Sequence, residues 1–468
     1  MAVQLATSID PAAALAERLI GDVIGPDHAD YDSRRRVWND MIDKRPAAIA
    51  RVAGASDVAE AIGFAREHEL PLAVRGGGHN VAGTAVVDHG VVIDLSEMRA
   101  VRIDSSGSTV HVQGGATWAD VDAVTAPLGL VTPGGVVSET GVTGLALSGG
   151  VSHQRRLQGM TIDNIVSARV VLADGRRVRA SAEEHADLYW AIRGGGGNFG
   201  VVTDLELRLH QLGPDVYGIN VAYPIEDAER VLTGWREAVA DAPDELSTAW
   251  LVWTFPDVEE LPEHLRGRPY VGIAGMWAGD PEQGERASRA VRQLATPLLD
   301  MSQTATYADF QRSLDPFFPA GLRHYWKATY LDGLTEAAID TTVDRSLRRP
   351  SQQTLIIIRH VGGAISRVGA QETAFGDRSS QWMLSIDSTW QDPADDADNI
   401  EYTRSFWDAM QPHSDGKTYF NFPGLLEEGE AAVRASYGAN HARLARVKAA
   451  YDPENVFRLN QNIRPVEA

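Results

Sequence analysis

The segment Arg75-Gly76-Gly77-Gly78-His79-Asn80 follows a strand-like run, LAVRG (72–76), and ends near an imidazole. Three successive glycines let main chain lie against a bulky planar or anionic ligand, with amides free to bind phosphate. A histidine closing such a loop is held where a ring nitrogen can meet that ligand; a tight turn with a solvent-facing His is the alternative. A second loop, Thr132 to Gly150, carries glycine at 134, 135, 141, 144, 149 and 150. It has too little polar patterning for a surface linker and too much glycine for a packed strand or helix. It reads as backbone wrapped around a diphosphate or a ring edge, or else as a bulged strand-loop. The third, Gly194 to Gly200 (GGGGNFG), stands between DLYWAIR and GVVTDLELRLH.

No Lys-Ser/Thr follows these loops and no GxGxxG opens a helix after a strand, which disfavours Walker and Rossmann nucleotide sites. HExxH, GxSxG and metal-spaced His/carboxylate groups are missing too, so no metal is expected. In QWMLSIDSTW (381–390), strand alternation puts Met383, Ser385 and Asp387 on one face and Trp382, Leu384 and Ile386 on the other. In Tyr419-Phe420-Asn421-Phe422 the same alternation sends Tyr419 and Asn421 to one side. His153 and His360 are further pocket candidates, each equally readable as a buried structural histidine.

These groups need a scaffold. The first half offers strands at LAVRG (72–76), GVVIDL (90–95), STVHVQGG (108–115), SARVVLADG (167–175) and GVVTDLELRLH (200–210). Ser56-Asp57 is placed to cap the helix VAEAIGFAREHEL, and Thr117 to cap WADVDAVTAPLGL. After about Gly213-Pro214 the character changes. Amphipathic helices are expected at 228–242 and 281–299, and strands at STAWLVWTF (247–255), QTLIIIRHVGG (353–363) and QWMLSIDSTW. That is a second α+β unit, a sheet packed on helices.

The chain has 468 residues, too many for one ordinary core. Its 43 Lys and Arg against 64 Asp and Glu give a net charge of -21, which disfavours nucleic acid or an anionic membrane as partner. There is no cysteine, hence no disulfide, thiolate nucleophile or iron-sulfur cluster. The first residues lack a basic n-region, and no apolar run approaches the roughly 20 residues of a bilayer span. A soluble, cytoplasmic protein is expected.

In their order, PLAVRGGGHN (71–80), VVIDLS (91–96), QGGATWADVD (113–122), TPGGVVSETGVTGLALSGG (132–150), GMTIDN (159–164), DLYWAIRGGGGNFGVVT (187–203) and YDPENVFRLNQNIRP (451–465) form one motif set. With it the chain resembles the berberine bridge enzyme-like branch of the vanillyl-alcohol-oxidase flavoproteins. The resemblance runs nearly end to end, with 214–410 matching mostly by layout. It implies an α+β fold: a two-part PCMH-type FAD-binding domain, residues 1–211 and a returning segment 412–468, around an inserted substrate domain, 212–411, whose antiparallel sheet is backed by helices.

The resemblance also implies FAD bonded covalently through His79. Val74, Arg75, Gly76, Gly77, Gly78 and Asn80 would line the cofactor with Pro133, Gly134, Gly135, Val136, Val137, Thr140, Gly141, Gly144, Ser148, Gly149 and Gly150. Asp163 and Asn164 would lie near its adenine half with Val201 and Val202 beside it, Gly196, Asn198 and Gly200 would also bind the cofactor, and Tyr451, Asn460, Gln461 and Asn462 would close over the flavin. Many relatives have a cysteine where Val137 stands, so no second link can form here. His153 replaces an aromatic at the substrate face. Relatives carry their acidic base on a strand at the place of Asp387, with Tyr419 and Asn421 orienting substrate. The implied activity is oxidation of a small alcohol, amine, phenol or polyketide-like substrate, electrons passing to oxygen to give peroxide. A dehydrogenase with another acceptor, or a flavin-bearing sequestering protein, is the alternative.

Overall fold

The computed structural model describes residues 9–427 and 429–466. Near the N-terminus, strands Ala48–Arg51, Val91–Asp94 and Leu72–Arg75 pair in parallel, with Asp22–Ile24 antiparallel at the edge. Beside this sheet lies an antiparallel one in the order Val101–Ile103, Thr109–Gln113, Val201–Arg208, Ile165–Val171, Arg177–Ser181. Each strand expected in this half is present.

The helix Ala55–Glu67 starts earlier than its expected cap: Gly54 is the N-cap, and Asp57 sits inside the first turn. The carboxylate of Asp57 instead accepts from the amides of Ile20 (3.0 Å), Gly21 (2.9 Å) and Ala53 (2.9 Å), tying the N-terminal edge strand to the helix. Thr117 does stand at the N-cap of Trp118–Thr125, where Asp120 accepts from its amide at 2.8 Å.

The second half is organised by an antiparallel sheet whose central strands run Pro269–Trp277, Leu246–Thr254, Leu355–His360, Trp382–Trp390, Arg323–Leu331. Asp215–Pro224 continues it beyond Pro269–Trp277. Helices Ala228–Ala238, Glu336–Ser346 and Asp396–Met410 cover one face, burying Trp235, Trp250, Ile356, Ile358, Leu384, Ile386 and Phe406 in a single core. The α+β class with a helix-backed antiparallel sheet is therefore the fold. The expected long helix over 281–299 is two short ones, Pro281–Ala287 and Arg289–Arg292, interrupted at Ser288. The bend brings the Arg292 guanidinium to Asp300 (2.7 Å) and Tyr217 Oη (2.7 Å), and Pro297 disfavours helix just beyond.

Because side chains alternate along a strand, the opposite face presents Ala249, Leu251, Leu355, Ile357, Arg359, Met383 and Asp387. Antiparallel register sets them side by side: Ala249 opposite Arg359, Leu251 opposite Ile357, Arg359 opposite Met383, Leu355 opposite Asp387.

The C-terminal segment is anchored to the third glycine loop by a buried charge. Lys448 Nζ bonds Asp452 (2.6 Å) and donates to the carbonyls of Asn198 (2.7 Å) and Phe457 (2.8 Å). Lys448→Met should cost about 3 kcal/mol in urea unfolding, since it strands the Asp452 carboxylate in the interior; an unchanged midpoint would contradict that assignment. Among the described residues no helix is long and apolar enough to cross a membrane.

Candidate active site

One large cleft, about 2350 Å³ including its mouth, separates the glycine loops from the face of the antiparallel sheet that the helices leave uncovered. The loop floor is possible only because two chains touch there. A Cβ on Gly77 would lie 2.4 Å from the amide nitrogen of Gly141, so the Gly76–Gly78 loop and the start of the Val142–Leu147 helix can meet only as glycines. Gly144, one turn along that helix, differs. A Cβ there meets nothing within 4 Å, because it would project into the cleft.

His79 lies half-buried at the wall. Its ring stacks on Trp38 (centroids 5.1 Å, planes 15° apart), and Trp38 stacks in turn on His324 (3.7 Å, 10°). Trp38 is fixed by its indole N–H to the Phe318 carbonyl (3.0 Å) and by Asn39, which bonds the carbonyls of Val81 (2.7 Å) and His324 (2.8 Å). Burial lowers the His79 pKa to about 4, against a small opposing pull from Asp315, so the imidazole is neutral at neutral pH.

Asp387 faces the loops from the sheet. It is 2% exposed, accepts a hydrogen bond from Ser385 Oγ, and lies 4.0 Å from Arg359 Nη2. Burial raises its pKa to about 6, opposed by Arg359 and the Ser385 bond. Tyr419 Oη accepts from the Gly150 amide (2.9 Å) and from Asn421 Nδ2 (2.9 Å), while burial raises its pKa. Tyr419 and Asn421 meet through a turn (Phe422 N–H to Tyr419 carbonyl, 2.8 Å) rather than on a strand. His153 packs edge-on against Phe310 at 4.7 Å. Burial, with Arg155 and Arg359 adding repulsion, holds its pKa near 3, which leaves it a poor proton acceptor.

The residues fit FAD on two counts from this chain alone. Gly144 leaves a cradle that a side chain would fill, and two wall groups, Thr143 Oγ1 and Asn460 Oδ1, are buried without a hydrogen-bond partner. Gly144→Leu should fill that cradle and give protein that purifies with little or no flavin absorbance.

The family of "FAD binding domain" matches residues 46–181, and that of "Berberine and berberine like" matches residues 418–464. The (R)-6-hydroxynicotine oxidase of Paenarthrobacter nicotinovorans is 30% identical over 457 residues, 95% of this chain and 97% of that one. The chain belongs to the berberine bridge enzyme-like FAD-linked oxidoreductases. An FAD-linked oxidoreductase of Dictyostelium discoideum is 29% identical over 434 residues, covering 92% of this chain and 91% of its own. Among solved structures, 6-hydroxy-D-nicotine oxidase from Arthrobacter nicotinovorans superposes with a TM-score of 0.85 at 28% identity, over 96% of this chain and 98% of that one. A chitooligosaccharide oxidase at 22% identity (TM-score 0.85, 98% of this chain and 100% of that one) shares the fold.

Within this berberine bridge enzyme-like enzyme, the cleft is walled by Val74, Gly76, Gly77, Gly78, His79, Asn80, Gly135, Val136, Val137, Thr140, Gly141, Gly144, Ser148, Gly200, Val201, Val202 and Asn460, and by His153, Asp387, Tyr419 and Asn421. Twelve residues expected there are placed elsewhere. Arg75 turns away to Asp94 (2.6 Å) and the Arg34 carbonyl (2.5 Å). Pro133 and Gly134 lie behind the wall, Pro133 accepting from Thr161 Oγ1 (2.8 Å) and Gly134 pressed under Trp118. Gly149 and Gly150 are covered by Tyr419 and Thr161.

Asp163 is clamped by Arg378 (2.7 Å), and Asn164 by His210 (2.6 Å), so both pin the turn rather than face a ligand. Gly196 donates to the Leu147 carbonyl (2.9 Å), and Gly197 takes its place at the wall. Asn198 spends its side chain on the Gly195 carbonyl (2.8 Å), the Gln461 carbonyl (3.2 Å) and the Ile463 amide (3.0 Å), a clasp for the C-terminal segment. Asn462 is off the wall, which Asn460 and Gln461 form, and Tyr451 bonds His185 (3.1 Å) at a separate surface hollow. His360 stacks on Trp382 and contacts Arg156 (2.9 Å). Sequence reasoning missed Trp38, Arg155, Arg359, Trp326 and Phe318. Alternation in LIIIRH (355–360) carried a signal for Arg359, since it puts the arginine on the face of Leu355 and Ile357.

Proposed function

We propose that this enzyme is an oxidase that holds FAD covalently through His79 and dehydrogenates a small organic substrate lodged between the loops and the sheet. Segments 1–211 and 412–468 hold the cofactor, and 212–411 supplies the substrate wall. One observation carries the reading: a neutral, stacked imidazole and a buried carboxylate, Asp387, stand on opposite walls of a single cleft. FAD held there by the glycine loops and His79 would supply the two-electron acceptor, with oxygen as the final acceptor and peroxide as the by-product.

The chain's own residues then bind, orient and move a proton. Asp387 accepts the proton from the hydroxyl, amine or acidic carbon of the substrate. Asn421 and the Gly150 amide fix Tyr419 Oη, so the phenol sits at a set position as a hydrogen-bonding partner. Trp326, Phe318 and Phe422 supply apolar wall that excludes water and aligns an organic body. Oxidase activity in the 6-hydroxynicotine relative supports oxygen as acceptor. An anaerobic screen of alcohols, sugars, amines and phenols for flavin bleaching, followed by readmission of oxygen with peroxide assay, tests it. Bleaching that oxygen does not reverse would assign a different acceptor, and binding without bleaching would favour sequestration.

A further inference from the structure

The cleft lining carries more buried positive charge than negative. Arg359, 8% exposed, lines the cleft, and its Nη1 is buried with no acceptor. Its nearest carboxylate contact is the 4.0 Å approach of Nη2 to Asp387, and its guanidinium otherwise lies over the Phe422 ring at 5.7 Å. Arg155, 4% exposed and also on the wall, bonds only neutral acceptors: the carbonyls of His360 (2.8 Å), Ser152 (3.1 Å) and Thr248 (2.6 Å). A guanidinium does not shed its proton to relieve burial. Two buried cations thus line the cleft against one buried carboxylate, Asp387, and one guanidinium donor is left without an acceptor. Leaving a charge-bearing donor unpaired in an apolar setting is costly, and a ligand that brings the missing acceptor recovers that cost. Leu251, Leu355, Ile357 and Trp326 make the neighbouring wall apolar, and the polar pair that shares the cleft, Tyr419 and Asn421, is bonded within itself (2.9 Å).

We propose that the substrate is an organic anion, a carboxylate on an aromatic or other apolar body, with the Arg359 guanidinium as its anchor. The proposal rests on reading this cleft as the substrate site. Apolar walls take the body, and Asp387, on the Nη2 side of the same guanidinium, stays available for proton transfer.

Benzoate and benzamide, matched in shape and different in charge, are the probes. Calorimetric titration of the purified holoenzyme, at a pH where benzoic acid is ionised, should show benzoate binding at least about 10-fold more tightly than benzamide. Arg359→Gln should bring the ratio to about 1, and Arg359→Lys should leave an intermediate value, because a point charge replaces the planar fork. Equal affinities in the wild type, no binding of either ligand, or a ratio unchanged by Arg359→Gln would each overturn the proposal. A ratio unchanged while the flavin midpoint potential moves would assign Arg359 to the cofactor instead. The wild-type preference needs no variant to fold. The titration also reads no turnover, so failure of the oxidase reading would appear separately, as missing peroxide with the benzoate preference intact.

Discussion

Acid-precipitated wild-type enzyme should stay yellow in the pellet, whereas His79→Ala should release all of its FAD to the supernatant. A ring nitrogen can form a covalent bond only through a free lone pair. Burial provides it by holding the His79 pKa near 4, so the imidazole is neutral across the physiological range. Orientation is provided by the stack on Trp38, itself fixed to the Phe318 carbonyl and sandwiched by His324. Release should be complete rather than partial. Val137 lines the cleft where a second attachment would need a cysteine, and the chain contains no cysteine at all. Colour retained by the His79→Ala pellet would mean that another side chain makes the bond, and the assignment would fall.

What the sequence discloses about this site follows from what kind of physics each part uses. The loops were legible because glycine at Gly77 and Gly141 is demanded by backbone contact, a constraint written in a single residue type. The face of Asp387 was legible because strand period is fixed at two. Hydrogen-bond partners were not, since they depend on which segments fold back. Asn198 stands in a cofactor-like motif, yet it clasps Ile463, 265 residues away. Asp163 and Asn164 likewise spend their polar atoms on Arg378 and His210, and only three-dimensional packing brings those together. Trp38 is the opposite case. It sits in an unremarkable stretch, VWND, and becomes part of the site because Asn39 bonds the strand at His324 and delivers the indole between two histidines. The helix boundary misplaced at Ser56-Asp57 has the same origin, a carboxylate drawn to a neighbouring segment instead of its own helix end.

Asp387→Asn should slow anaerobic flavin reduction by about 100-fold or more, the usual scale for loss of a positioned general base. Of Asp387, His153 and Tyr419 in the cleft, only Asp387 has a proton affinity suited to a base near neutral pH. His153 is held near pKa 3 by burial and two arginines, and burial pushes the Tyr419 phenol above its ordinary value. Burial raises the Asp387 pKa to about 6, so the carboxylate is ionised above that pH and protonated below it. The base form is the ionised one. Reduction in the wild type should therefore be fastest on the alkaline side and fall as pH drops through about 6, and the Asn variant should lose that limb. Ser385 acts through Asp387, because its hydroxyl donates to the carboxylate and favours the ionised form. Ser385→Ala should move the acid limb to higher pH while leaving the alkaline plateau within a few-fold of wild type. A structural role for Ser385 would depress the plateau without moving the limb. Stopped-flow reduction across pH separates these outcomes, and an Asp387→Asn enzyme that keeps both the wild-type rate and the acid limb would remove the carboxylate from the reaction.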